Sequence, residues 1–165
     1  MNLKKSFLII LLILIIDQFS KVYIKLHFPL TLYGETALLD WGWFKILFVE
    51  NKGMAWGTQL NDLLPFIQER TGKLILTLFR VLVVPIIFYW LYDSVKKNTN
   101  KLLPFCLSLI LAGALGNILD SIFYGYLFTD SYYNIASFSP GNGYDSFLYG
   151  NVVDMLQFPM FTWEW

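Results

Sequence analysis

The chain has 165 residues, 12 basic against 12 acidic side chains, and a composition that is 56% hydrophobic and 19% aromatic. Soluble domains rarely carry so much apolar surface, and the balanced charge offers no electrostatic pull toward nucleic acid. Cys106 is the one cysteine and His27 the one histidine, which excludes an intrachain disulfide and leaves too few ligands for a zinc site of the usual kind; no metal or cofactor is called for.

The first predicted element is an apolar helix over residues 7–24, FLIILLILIIDQFSKVYI, preceded by Lys4 and Lys5. A bilayer crossing takes roughly 20 apolar residues, and this stretch suffices. It differs from a cleaved secretion signal because Asp17 and Lys21 interrupt it and no A-x-A pattern follows. Asp17 and Lys21 stand at i and i+4, on one face, where they can pair. Residues 30–70 then form an extramembrane region. Within it, WGWFKILFVENKGMAWG mixes aromatic and β-branched residues and breaks at Gly53 and Gly57, the pattern of a short sheet or hairpin resting on the membrane.

A second helix is predicted over residues 74–92, with Arg80 near its start and long enough to snorkel to the interface. Lys96, Lys97 and Lys101 fill the short link to a third helix over residues 102–124, where Cys106 is expected to pack as a small apolar residue. That helix carries LGNILDS near its end. Residues 126–165 form a second extramembrane loop, in which turn residues SPGNGYDS precede YGNVVDMLQFP and Asp154. The whole reads as a single membrane domain: an all-α polytopic protein with three transmembrane helices and a small extracytoplasmic β-cradle.

Lysines orient the bundle. Those before helix one and those after helix two fall on one side, which the positive-inside rule makes cytoplasmic. Asp17 and Lys21 then lie about 15 and 21 Å into a ~30 Å core, and Asn117 and Asp120 about 23 and 27 Å, all in the outer half. Gly113, Asn117 and Asp120 share a helical face, and Gly113 with Gly116 leaves room for another backbone. Each feature has a plain alternative: a structural ion pair, helix–helix glue, an ordinary turn at NKG, a helix cap at Asp154. Their convergence at one depth argues for a site, because intramembrane charge is costly and belongs in the bundle interior. Two carboxylates at such an interface suit acid–base work, one activating water while the other protonates a leaving amine.

Four stretches carry a family likeness: DQFSK from Asp17, ENKGMAWG from Glu50, GALGNILD from Gly113 and GNVVDM from Gly150. In order and spacing the chain resembles the lipoprotein signal peptidases, the type II signal peptidases of bacteria. The resemblance implies a four-helix membrane fold and an aspartyl endopeptidase of the cytoplasmic (inner) membrane. Its substrates would be diacylglyceryl-modified prolipoproteins, cut before the lipidated cysteine, with membrane lipid as surroundings. It implies that Asp154 is catalytic. Asn51 and Gly53 match an N-x-G motif near the substrate. Asp17, Lys21, Asn117 and Asp120 match supporting polar residues, so Asp120 is not itself a catalytic acid.

Two departures matter. Ser121 stands where the family usually has Arg after the aspartate. Arg80 lies about 9 Å below Leu74, at nearly the depth of Asp120, and is expected to turn inward and supply the missing charge. The family's second catalytic aspartate opens a fourth helix in an N-x-x-D motif, which is expected beyond Trp165. This implies a fragment or truncated product, with its activity as given left open. Two other readings stand beside the peptidase. A proton-coupled transporter component would relay through Asp17, Lys21 and Asp120, yet the cytoplasmic halves of the helices offer almost no polar residues to continue the path. A non-catalytic membrane assembly or lipoprotein-binding protein would need no second aspartate.

Overall fold

The computed structural model describes residues 1–30, 37–53, 58–98 and 100–159. Three long helices dominate it. Helix α1 spans Leu3–His27, and the Asn2 side chain caps its first turn by accepting from the Lys5 amide at 2.9 Å. After a short α2 (Leu60–Leu63), α3 spans Glu69–Lys96 and α4 spans Leu102–Leu119. The last continues through a π-helical turn, Asp120–Tyr124, into a final turn α5, Gly125–Leu127. These helices outrun the apolar stretches because the flanking Lys, Glu and Arg residues are themselves good helix formers. Pro85 sits inside α3, where it removes one backbone donor.

Helix α4 lies between the other two and packs on both. The seam is apolar: Ile10 of α1, Leu91 of α3, and Leu107, Leu111 and Ala112 of α4 are all buried. Outer faces are equally apolar but exposed, with Leu8, Leu11 and Ile16 on α1 and Leu82, Ile86 and Tyr89 on α3. A helix apolar on every side has no aqueous solution, and all three are long and apolar enough to cross a membrane. The architecture is thus a polytopic helical membrane fold with a small sheet. Two local expectations need correcting. Cys106 is exposed on the outer face of α4, so it is not a packing residue. Gly113 is also exposed, and among the described residues a Cβ there would meet nothing within 4 Å, so it makes no close approach to them. Gly116 does, but to a side chain: its Cβ would stand 2.3 Å from Asp17 Oδ2.

The sheet has three antiparallel strands in the order β1 (Leu39–Asp40), β2 (Lys45–Asn51), β3 (Val152–Gln157). Strands β1 and β2 make the expected hairpin, with Gly42 at φ +78° in its turn. The third strand comes from about 100 residues downstream, a long-range pairing that local alternation does not announce. It places Val49 opposite Asp154, Glu50 opposite Val153 and Asn51 opposite Val152. Parts of the expected cradle, residues 31–36 and the MAWG portion of ENKGMAWG, lie outside the described residues, as do residues 160–165.

The two glycines of α4 should therefore behave oppositely. Gly116→Ala forces the Asp17 carboxylate aside and should destabilise the purified protein by about 1–3 kcal/mol. Gly113→Ala should change stability by no more than about 0.5 kcal/mol. Thermal unfolding of the two variants in the same detergent checks the contrast.

Candidate functional site

Helix α1 contributes Asp17, Gln18 and Lys21 on one side, and α4 with its π turn contributes Asn117 and Asp120. They meet at the Lys21 ammonium. Its Nζ lies 2.7 Å from Asp120 Oδ2, 3.0 Å from Asn117 Oδ1 and 3.1 Å from Asp17 Oδ2. Asp120 is wholly buried and its oxygens are well supplied. Oδ1 accepts from Gln18 Nε2 at 2.9 Å, and Oδ2 also accepts from the Val153 amide at 3.2 Å. Burial of a carboxylate and an ammonium is costly unless every polar atom is matched, and here each finds partners. Gln18 ties the cluster further, donating to Asp17 Oδ2 at 3.0 Å and accepting from the Tyr124 hydroxyl at 3.2 Å.

The Val153 amide links this cluster to β3, and the next residue is Asp154. Its side chain is exposed and accepts from Asn51 Nδ2 at 3.0 Å across the β2–β3 ladder. Asn51 Oδ1 in turn accepts from the Gly53 amide at 2.9 Å. Gly53 is required on steric grounds, since a Cβ would stand 2.3 Å from the Thr58 carbonyl oxygen. Asp17, Lys21, Asn51, Lys52, Asn117 and Asp154 all line one cavity of about 1010 Å³. Chemically, the cavity offers an exposed carboxylate oriented by an amide, beside a buried carboxylate committed to its cation. Among the described residues no three His, Cys, Asp or Glu side chains gather as a metal site would need.

Arg80 turns inward, but it is not the contact cation of Asp120. That partner is Lys21. The Arg80 guanidinium donates instead to Ser121 Oγ at 3.0 Å and to the Gly53 carbonyl at 2.7 Å, tying α3 to the π turn and to the N-x-G segment. Among the described residues, Gly113 makes no contact with this cluster closer than 4 Å from where a Cβ would stand.

A second buried polar network was not foreseen. Lys25, fully buried one turn beyond Lys21, pairs with Glu50 Oε1 and donates to Ser131 Oγ at 2.7 Å. Glu50 Oε1 also accepts from Ser131 Oγ at 2.7 Å, and Oε2 accepts from Asn151 Nδ2 at 2.9 Å. Asn151 Oδ1 accepts from Lys73 Nζ at 2.6 Å, and its amide donates to the Tyr144 hydroxyl at 2.6 Å. Burial alone would push the Glu50 carboxyl up, but the Lys25 charge and the three donors outweigh it and hold it below its ordinary 4.5. One signal was present in the sequence: Asp17, Lys21 and Lys25 recur at four-residue spacing, and a cation at the third position needs a partner.

The π turn has its own task. Its Ser121 and Ile122 carbonyls accept from the Gly150 and Leu148 amides at 2.8 and 3.0 Å. Gly150 passes so close that a Cβ would stand 2.0 Å from the Asp120 carbonyl oxygen. The loop before β3 is thereby hung on the backbone of the residues that carry Asp120.

Comparison with known proteins adds a family context. Residues 9–139 match the family model described as signal peptidase (SPase) II. A lipoprotein signal peptidase of Porphyromonas gingivalis is 41% identical over 154 residues, covering 92% of this chain and 62% of the relative. One from Amoebophilus asiaticus is 33% identical, with coverages of 96% and 61%. The chain thus spans somewhat over three-fifths of the length of these curated relatives. A solved bacterial membrane enzyme, determined by the in meso method at 2.3 Å resolution, shares the fold with a TM-score of 0.59 at 23% identity, over 96% of this chain and 72% of that one.

Lys21→Met leaves Asp120 buried without its cation and should cost about 3–5 kcal/mol, read as a lowered thermal unfolding midpoint. Glu50 gives a pH signature. Its folded-state carboxyl titrates below its ordinary 4.5, so its contribution is complete above that value and is lost as pH falls through the lower one. Stability should therefore drop below pH 4.5, and Glu50→Gln should remove that part of the slope.

Proposed function

We propose, given that the chain belongs to the signal peptidase II family, that the protein is a membrane endopeptidase removing signal peptides from prolipoproteins. The observation that carries the reading is Asp154, an exposed carboxylate held by Asn51 on the wall of a cavity that Asp17, Lys21 and Asn117 also line. In this reading the chemistry is aspartyl. Asp154 accepts a proton from a water molecule as the water oxygen attacks the scissile carbonyl. A second, protonated carboxyl donates to the carbonyl oxygen, and the tetrahedral intermediate then collapses with a proton delivered to the departing amine. Water is the only co-reactant. By the family resemblance, the second carboxyl is proposed to belong to an N-x-x-D motif.

Supporting roles follow from the contacts. Asn51 orients Asp154, while Arg80 holds the Gly53 carbonyl and with it the N-x-G segment. Lys21, Asp17, Asn117 and Asp120 form a fixed base for β3. The substrate cysteine is proposed to carry diacylglycerol, cleavage falling before it. The lysines before α1 and after α3 support an N-terminus in the cytoplasm and a cavity toward the outer leaflet of the inner membrane. The transporter reading lacks a path, because Asp120 is enclosed by Lys21, Gln18 and the Val153 amide.

Asp154→Asn in the full-length protein should lower cleavage of a lipidated prolipoprotein by about 10²–10⁴-fold while leaving folding and membrane insertion intact. Turnover at the wild-type rate would overturn the assignment.

A further inference from the structure

Strand β3 is an edge strand paired with one other strand, and its ladder with β2 is irregular between Ile46 and Val49. A short, irregular ladder sets register weakly by itself. Yet the proposed chemistry needs Asp154 to sit at a defined place relative to Asn51. Strand alternation puts Asn51, Val49 and Asp154 on one face and Glu50 and Val153 on the other. The Val153 amide on Asp120 fastens β3 to the π turn, and the face that carries Glu50 offers a second hold.

We infer that Glu50 and Asn151 form a positioning pair that locks the β2–β3 register and so aims Asp154 at its reaction geometry; this rests on the reading of Asp154 as a reacting group. Glu50 is fastened to α1 through Lys25, and Asn151 to α3 through Lys73. The two join each other directly, Asn151 Nδ2 to Glu50 Oε2 at 2.9 Å. Glu50 immediately precedes Asn51, and Asn151 stands three residues before Asp154. Each strand of the reacting face is therefore pinned to a different transmembrane helix, and the pins are bonded together. A buried charge cluster is a poor way to gain stability, since apolar residues of equal volume commonly do as well. It is a good way to select one register. A one-residue slip of β3 would carry Asn151 away from Glu50 and leave a buried carboxylate short of a donor.

Two variants of the full-length protein test this: Asn151→Ala, which cuts the bridge but keeps the Lys25–Glu50 pair, and Glu50→Gln, which keeps the shape but removes the charge. Each should lower kcat about ten- to a hundredfold per folded molecule, with KM within about threefold, a split that mere loss of folded protein does not produce. Amide exchange at Val153 and Asp154 should quicken relative to the α4 interior. Unchanged kcat, or activity loss matched by unfolding with unchanged exchange, would overturn the inference. A measurement on the unaltered protein needs no variant to fold. The Asn51 and Val153 amides should exchange in one cooperative unit with α1 around Lys25, and faster, separate exchange of β3 overturns the inference. Asp154→Asn separates the two ideas. If it turns over normally, the peptidase assignment fails. If it is inactive while both other variants are fully active, the positioning pair alone fails.

Discussion

One ammonium organises the site. Lys21 leaves α1 in a region with little water, so it has to find acceptors within the protein. It takes three, from its own helix and from α4. Because α4 also packs on α3, fixing α1 against α4 at this depth orients all three helices. Asp120 then passes the constraint on through the Val153 amide, converting a helix–helix contact into a strand position. The order of dependence is charge, then helix pair, then strand.

This explains the uneven burial of the carboxylates. Asp120 is wholly enclosed, Asp17 is partly open, and Asp154 is exposed. Their partners differ in the same order. Asp120 is matched by a cation, an amide side chain and a backbone N–H, whereas Asp154 has Asn51. A group surrounded by fixed donors is shut off from what enters the cavity, whereas one on the cavity wall can touch it. The geometry thus separates a scaffold carboxylate from an available one, although the sequence presents both as an aspartate in an apolar setting.

Much of the helical frame was legible, because length and apolarity over three stretches leave a bilayer as the natural solvent. The meeting of Asp17, Lys21, Asn117 and Asp120 was legible as well, since four-residue spacing and equal depth are properties of an ideal helix. Arg80 was harder. Depth was read rightly, but its partner depended on lateral position, and two groups at one depth need not share a face of the bundle. Strand β3 and the Lys25–Glu50 pair were hidden for a related reason: both depend on contacts between distant parts of the chain. Gly113 and Cys106 misled because a small residue on an apolar helix looks the same whether it faces a neighbour or lipid.

The π turn at Asp120–Tyr124 sets a rotational phase. A π turn holds about one residue more than an α turn, so everything downstream is rotated by roughly 100° from where an uninterrupted helix would carry it. The Ser121 and Ile122 carbonyls that suspend the β3 loop are presented by that offset, as is the position of Gly125 under Asp145, whose amide it receives at 2.9 Å. Deleting one residue here would give a more regular helix and a misaligned loop. The segment is therefore a counted interval, in which residue number matters as well as the identities of Asp120, Ser121 and Tyr124.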